Sequence, residues 1–148
     1  MNSVLIRRCA DNDIDDVRRM QMQWAEEDIT YGFVPSCRKD LINRLGSYFF
    51  VAEVDGCLVG FIYGWLRVSE GLAVLPAGQQ YLQIDDIYVK PEFRDKGIGG
   101  RLLESLFQTA QHNGISRFLV YSATKDLDKI LKFYRSHGFE SWYVQMFK

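Results

Sequence analysis

The sequence predicts an α/β (α+β) domain: a mixed, mostly antiparallel central sheet flanked by four helices. Three observations carry that prediction. Tyr81–Ala110 runs as strand, turn, Gly-rich loop and long helix, and a further strand, Arg117–Tyr121, follows it; a helical crossover between two strands makes them parallel. Ser47–Val54 and Cys57–Val68 read as strands joined by Asp55-Gly56, a two-residue hairpin signal that makes them antiparallel. Apolar residues recur at three- and four-residue spacing elsewhere, the mark of helices that bury one face.

Val4–Arg8 reads as the first strand. Asp11 or Asp13 then caps a helix carrying Ile14, Val17, Met20 and Trp24 on one side, with Asp13, Asp15 and Asp16 suited to the positive end of its dipole. Glu26, Glu27 and Asp28 fall at the negative end, where carboxylates are mildly unfavourable. Tyr31–Pro35 is a connector, and Ser36–Leu45 a second helix ending at Gly46. Ser69–Gln80 is a loop. Ile98, Leu102, Leu103, Leu106, Phe107 and Ala110 form the stripe of the third helix, stopped by Asn113-Gly114. Thr124 or Asp126 starts the fourth helix, with Leu127, Ile130, Leu131 and Tyr134 at helical spacing, and Phe139–Phe147 is a final strand.

The strand Tyr81–Val89 contains an irregularity. Leu82 and Ile84 share one parity, Ile87 and Val89 the other, and a regular strand cannot turn all four to one face. A bulge at Asp85-Asp86 repairs the phase and bends the strand, opening a slot beside it. Pro91 ends the strand because it has no N–H for a ladder.

Arg94-Asp95-Lys96-Gly97-Ile98-Gly99-Gly100 lies between this strand and its helix. Glycines let the backbone approach a ligand closely, and the unsatisfied N–H groups of a helix start favour an anion such as phosphate. The dinucleotide fingerprint is excluded because Leu102 stands where its third glycine is required, and no Gly-Lys-Ser/Thr run makes a P-loop.

The chain of 148 residues, 47% apolar and 25% charged, is expected to form one soluble domain over residues 1–148. No apolar run approaches the roughly 20 residues of a membrane helix, and MNSVLIRRCADND has no signal-peptide core. Cys9, Cys37 and Cys57 are sparse and without a CxxC spacing, which predicts a reducing, cytoplasmic setting and no metal site. His112 and His137 are isolated. A net charge of −1 does not point to nucleic acid, and no membrane partner is expected. Seven acids between Asp11 and Asp28 and four bases between Lys90 and Arg101 mark one region for a cation and another for an anion.

Arg94-x-x-Gly97-x-Gly99, after a strand and opening a helix, resembles the acyl-CoA pyrophosphate signature of the GCN5-related N-acetyltransferase (GNAT) superfamily. Phe133-Tyr134-Arg135-Ser136-His137-Gly138-Phe139 is similar to its second signature. The resemblance implies a sheet of six to seven strands whose bulged strand splays from the next parallel strand, with acetyl-CoA as co-substrate in the slot. Asp95–Gly100 would cradle the pyrophosphate with Arg94 alongside, and Ile87, Tyr88 and Val89 would pair with pantetheine. A backbone N–H just past the bulge would face the thioester oxygen. Asp85 occupies a position where related enzymes often carry a Glu base, Asp86 is its alternative, and Tyr134 would protonate the thiolate. Where the family often has Asn, this chain has Leu127, so that contact is lost or taken over by Thr124, Asp126 or Asp128. Lys129, Lys132 and Arg135 are candidates for the nucleotide phosphates.

The function so implied is acetyl transfer from acetyl-CoA to a primary amine by direct attack in a ternary complex. The acids at Glu26–Asp28 and Asp85-Asp86 point to a small cationic amine; Tyr31 and Phe33, in the region that lines the family's acceptor pocket, are candidate contacts. The alternatives are a protein N-terminal or lysine acetyltransferase and a non-catalytic acyl-CoA-binding module. The resemblance also raises a homodimer, with one of the family's last two strands missing or exchanged.

Overall fold

The structure is a computed structural model and describes residues 3–148. Met1 and Asn2, which open the stretch read as lacking a signal-peptide core, lie outside the described residues. Five strands form one sheet in the order β1 (Val4–Arg8), β2 (Phe49–Val54), β3 (Cys57–Val68), β4 (Gln80–Val89), β5 (Phe118–Val120). Neighbours among the first four are antiparallel, and β5 runs parallel to β4. The helices are α1 (Ile14–Glu27), α2 (Arg38–Asn43), α3 (Ile98–His112) and α4 (Leu127–Ser136).

Two apolar layers sandwich the sheet. Ile14, Val17 and Met20 of α1 and Leu41 of α2 pack on Phe49, Val51, Phe61, Tyr63 and Tyr88. Leu102, Leu103, Leu106 and Ala110 of α3, with Tyr134 of α4, pack on Phe50, Ala52, Ile62, Leu82 and Ile84 of the opposite face. The helical spacings thus become the two buried stripes. Asp55 and Gly56 both adopt positive φ, 51° and 79°, as the tightest hairpin turns require.

The bulge is where the parity of β4 places it. Tyr63 pairs with Asp86 and Gly64 with Ile84, so Asp85 is the extra residue. Ile87 and Val89 consequently pack on the same layer as Leu82 and Ile84. Gly64 is required opposite the bulge because a Cβ there would meet the Gln83 carbonyl oxygen at 2.5 Å. β4 and β5 pair only from Leu82–Phe118 to Ile84–Val120. Past the bulge, the side of β4 that faced β5 has no strand against it, which is the splayed slot.

The final strand expected at Phe139–Phe147 is not formed, so the sheet has five strands rather than six or seven. Its residues have strand propensity, but propensity without a ladder partner does not make a strand. Phe139 packs on Phe107 and Tyr134, and the chain then runs on to bring the Phe147 ring within 5.5 Å of Tyr31. The second helix is shorter than expected, Arg38–Asn43 within Ser36–Leu45.

Candidate active site

The bulge places two adjacent carboxylates in different company. Asp85 forms an ion pair with Arg44, Oδ2 to Nη1 2.6 Å, with both side chains about four-fifths buried (16% and 19% exposed). Asp86 instead accepts a short hydrogen bond from the Tyr63 hydroxyl. Tyr63 lies fully buried, and its hydroxyl accepts from Gln21 Nε2 at 2.8 Å. Gln21 is fully buried on α1, and its Oε1 takes the Ser36 backbone N–H at 2.8 Å. A chain of hydrogen bonds therefore runs Ser36–Gln21–Tyr63–Asp86 and fixes the orientation of one carboxylate.

Burial pushes the Asp86 carboxyl above the usual carboxylate range, against the lowering effects of the Tyr63 hydrogen bond and the Arg44 charge. Burial likewise raises the Tyr134 phenol, and the charge of Asp86 adds to it. Tyr134, 8% exposed, therefore stays protonated at neutral pH close enough to Asp86 to feel its charge. A carboxyl whose charge burial disfavours and a protonated phenol thus lie within electrostatic reach of one another.

Tyr63→Phe is expected to leave Gln21 Nε2 and Asp86 Oδ2 without their shared partner, at a cost of about 1–3 kcal/mol in stability. Since that hydrogen bond lowers the Asp86 pKa, the acidic limb of any Asp86-dependent rate should move to higher pH. Denaturant titration and a rate profile measure the two effects.

The Gly-rich loop begins with Arg94 and reaches α3 through Asp95 and Gly97, both at positive φ (61° and 81°). Among the described residues, none of the backbone N–H groups from Asp95 to Gly100 has a hydrogen-bond acceptor, and the helix ladder starts with Arg101 N–H to the Gly97 carbonyl at 3.1 Å. A run of such donors at a helix start is an anion cradle. Gly100 has no side chain because His137 stands there, 3.1 Å from where a Cβ would be. Lys129 of α4 lies beside Asp95, 3.8 Å away.

Arg94 is held differently from the reading of it as a charge facing phosphate. Its Nη1 and Nη2 clasp Glu27 at 2.7 and 2.9 Å, and its Nε donates to the Val89 carbonyl at 2.8 Å. The Tyr88 hydroxyl completes the clasp on Glu27 at 2.5 Å. Burial alone would raise the Glu27 carboxyl, but the hydrogen bonds from Arg94 and Tyr88 outweigh it and leave it below the usual range. One of the backbone acceptors in the Ile87–Val89 stretch is thus already taken, and the end of α1 is latched to the loop.

The remaining sequence-predicted residues separate. Asp28 pairs with Lys125 at 2.9 Å, and Glu26 is exposed. Phe33 stacks on Trp24 with centroids 3.9 Å apart, and Trp24 stacks in turn on Tyr88, so Phe33 is packing. Tyr31 is exposed beside Phe147. Leu127 is also exposed, Asp126 caps α4 by accepting Lys129 N–H at 3.2 Å, and Thr124 bridges to Thr30. Sequence reasoning missed Arg44, Tyr63 and Gln21; Gln21 alone carried a signal, a polar residue on the apolar side of α1. Burial pushes the Cys9 thiol up to about 12, which makes it an inert core residue. Among the described residues, no cluster of His, Cys, Asp or Glu could hold a metal ion, and no helix is long and apolar enough to cross a membrane.

Residues 14–139 match the acetyltransferase (GNAT) family. An uncharacterised N-acetyltransferase of Archaeoglobus fulgidus is 33% identical over 113 residues, 71% of this chain and 72% of that protein. Thialysine N-ε-acetyltransferase of Sus scrofa is 29% identical over 129 residues, 80% of this chain and 74% of that protein. The solved structure of AAC(6')-Iy with the bisubstrate analogue CoA-S-monomethyl-acetylneamine has a TM-score of 0.75 over 99% of this chain and 97% of that one. Its 18% identity makes this a likeness of fold. The chain belongs to the acetyltransferase (GNAT) family. Its activity is N-acetyl transfer.

Proposed function

We propose that the protein moves an acetyl group from acetyl-CoA to the primary amine of a small molecule, with Asp86 as base and Tyr134 as acid. The observation that carries this reading is the bulge that sets Asp86 on the relay from Tyr63, beside the unpaired side of β4 and the free N–H groups of Asp95–Gly100, with Tyr134 near enough to feel the Asp86 charge. Those N–H groups would hold the pyrophosphate, and the open side of β4 would take the pantetheine arm as an added strand. The names of the relatives and the CoA-containing analogue in AAC(6')-Iy support the same donor.

An alkylamine is only about four parts in ten thousand neutral at pH 7. Asp86 takes the surplus proton, directly or through water, and its raised pKa makes it a better acceptor than an ordinary carboxylate. The amine nitrogen then forms a bond to the thioester carbon, and the oxyanion draws on a backbone N–H beyond the bulge. The C–S bond breaks, the Tyr134 hydroxyl gives its proton to the departing thiolate, and the second proton leaving the nitrogen restores the phenol through water, while Asp86 returns its proton to solvent. Asp85, engaged by Arg44, leaves the base role to its neighbour.

Thiol release from acetyl-CoA across a panel of diamines, amino acids, aminoglycosides and short peptides tests the reading, with CoA binding measured separately. Turnover of a small amine supports it; CoA binding with turnover of peptides alone would move the acceptor to a protein. Tyr134→Phe is expected to lower kcat by about tenfold, a modest loss because a thiol near pKa 8.5 is already a fair leaving group. An unchanged kcat would remove Tyr134 from the chemistry.

A further inference from the structure

We infer that Arg44 is the seat of a carboxylate on the acceptor, so that the amine substrate is an amino-acid-like molecule carrying both groups. The inference rests on the proposed transfer to a small amine and narrows its class. Of the acids expected to draw in a cationic acceptor, Glu27 is engaged by Arg94, Asp28 by Lys125 and Asp85 by Arg44, while Glu26 is exposed at the end of α1. At the bulge Asp86 is left, and burial disfavours its charge. A polycation reaching Asp86 would meet beside it an Arg44–Asp85 pair whose charges already offset each other.

That guanidinium is prepared for an anion. Its Cζ lies 4.2 Å from the centroid of the Tyr63 ring and 5.1 Å from that of Trp65, so two aromatic faces fix its plane. Only Nη1 is spent, on Asp85. Among the described residues, Nε and Nη2 have no acceptor, on a side chain that is 19% exposed. Trp65, 38% exposed, keeps this side of the sheet open. The Tyr63 ring lies against Arg44 and its hydroxyl bonds Asp86, which puts an anion seat and a base within the span of one small molecule. A fork with free N–H donors and a fixed plane matches a carboxylate. The pairing is also selective: a carboxylate takes the free Nε and Nη2 donors of Arg44 and leaves Asp86 for the amine, whereas the second ammonium of a diamine finds only donors there.

Calorimetry on the CoA-loaded protein tests this with matched pairs, lysine against cadaverine and ornithine against putrescine. The carboxylate member of at least one pair is expected to bind about tenfold or more tightly than its decarboxylated twin. Arg44→Gln should erase that difference while CoA affinity stays unchanged, and Arg44→Lys should restore part of it. Diamines binding as tightly as the amino acids, no binding by any amino acid, or an equal loss for both twins in Arg44→Gln would overturn the inference. The wild-type comparison decides alone if the variants fail to fold. Thiol release from acetyl-CoA with the same amines separates the two readings: amino acids that bind selectively without turnover would sink the transfer mechanism and leave the seat standing. Preferred turnover of the diamines would do the reverse.

Discussion

Asp86→Asn is expected to lower kcat by about 10²–10⁴-fold, the usual contribution of a positioned general base, while CoA binding is retained. The amide is nearly isosteric and can still accept from the Tyr63 hydroxyl, so the Ser36–Gln21–Tyr63 chain keeps its partners. What is lost is a carboxylate that burial has tuned upward. Asp85→Asn supplies the contrast. It weakens the ion pair to Arg44 without touching the relay, and its effect on kcat should be much smaller. Steady-state thiol release on the two variants measures both; equal losses would contradict the assignment of the base to Asp86.

Glu27→Ala is expected to cost about 2–4 kcal/mol in stability. The substitution strands the Arg94 guanidinium and the Tyr88 hydroxyl together, both held by one carboxylate that is 18% exposed. The lower end of the range reflects the partial exposure of Arg94, 28%. The pH dependence has a definite sign. Glu27 titrates below its ordinary value in the folded protein, so its contribution is present above the unfolded carboxylate pKa, about 4.3, and is lost as pH falls through the folded value. The gap between wild type and Glu27→Ala, read by denaturant titration, should therefore be full at pH 7 and shrink on acidification. A gap independent of pH would show that the side chain acts only by packing.

These residues also mark what sequence reasoning can reach. The bulge was legible because side-chain parity is local: four apolar residues on two phases of one strand leave a single repair. The run of free N–H groups at the start of α3 was legible for the same reason, since glycines and a helix start sit side by side. The partners across the site were not. Glu27 and Arg94 are 67 positions apart, and Arg44 and Asp85 are 41 apart; an ion pair leaves no trace in the sequence around either member. Glu27 did carry one clue, a carboxylate at the unfavourable end of its helix dipole, and Arg94 is what offsets that placement. Charge counts in the same region register acids without the bases that pair with them in space. Phe139–Phe147 has strand composition, but composition cannot supply the neighbouring edge on which a strand depends.

The most direct test of the central claim is the pH profile of kcat/KM for wild type and Asp86→Asn, measured with one turned-over amine. In wild type the rate should rise through a pKa above the ordinary carboxylate range and then level off, as Asp86 becomes able to take the amine's proton. In Asp86→Asn the plateau should disappear and the rate climb on into alkaline pH with the fraction of free amine alone. A variant that keeps the wild-type limb and plateau would contradict the account and place the base elsewhere.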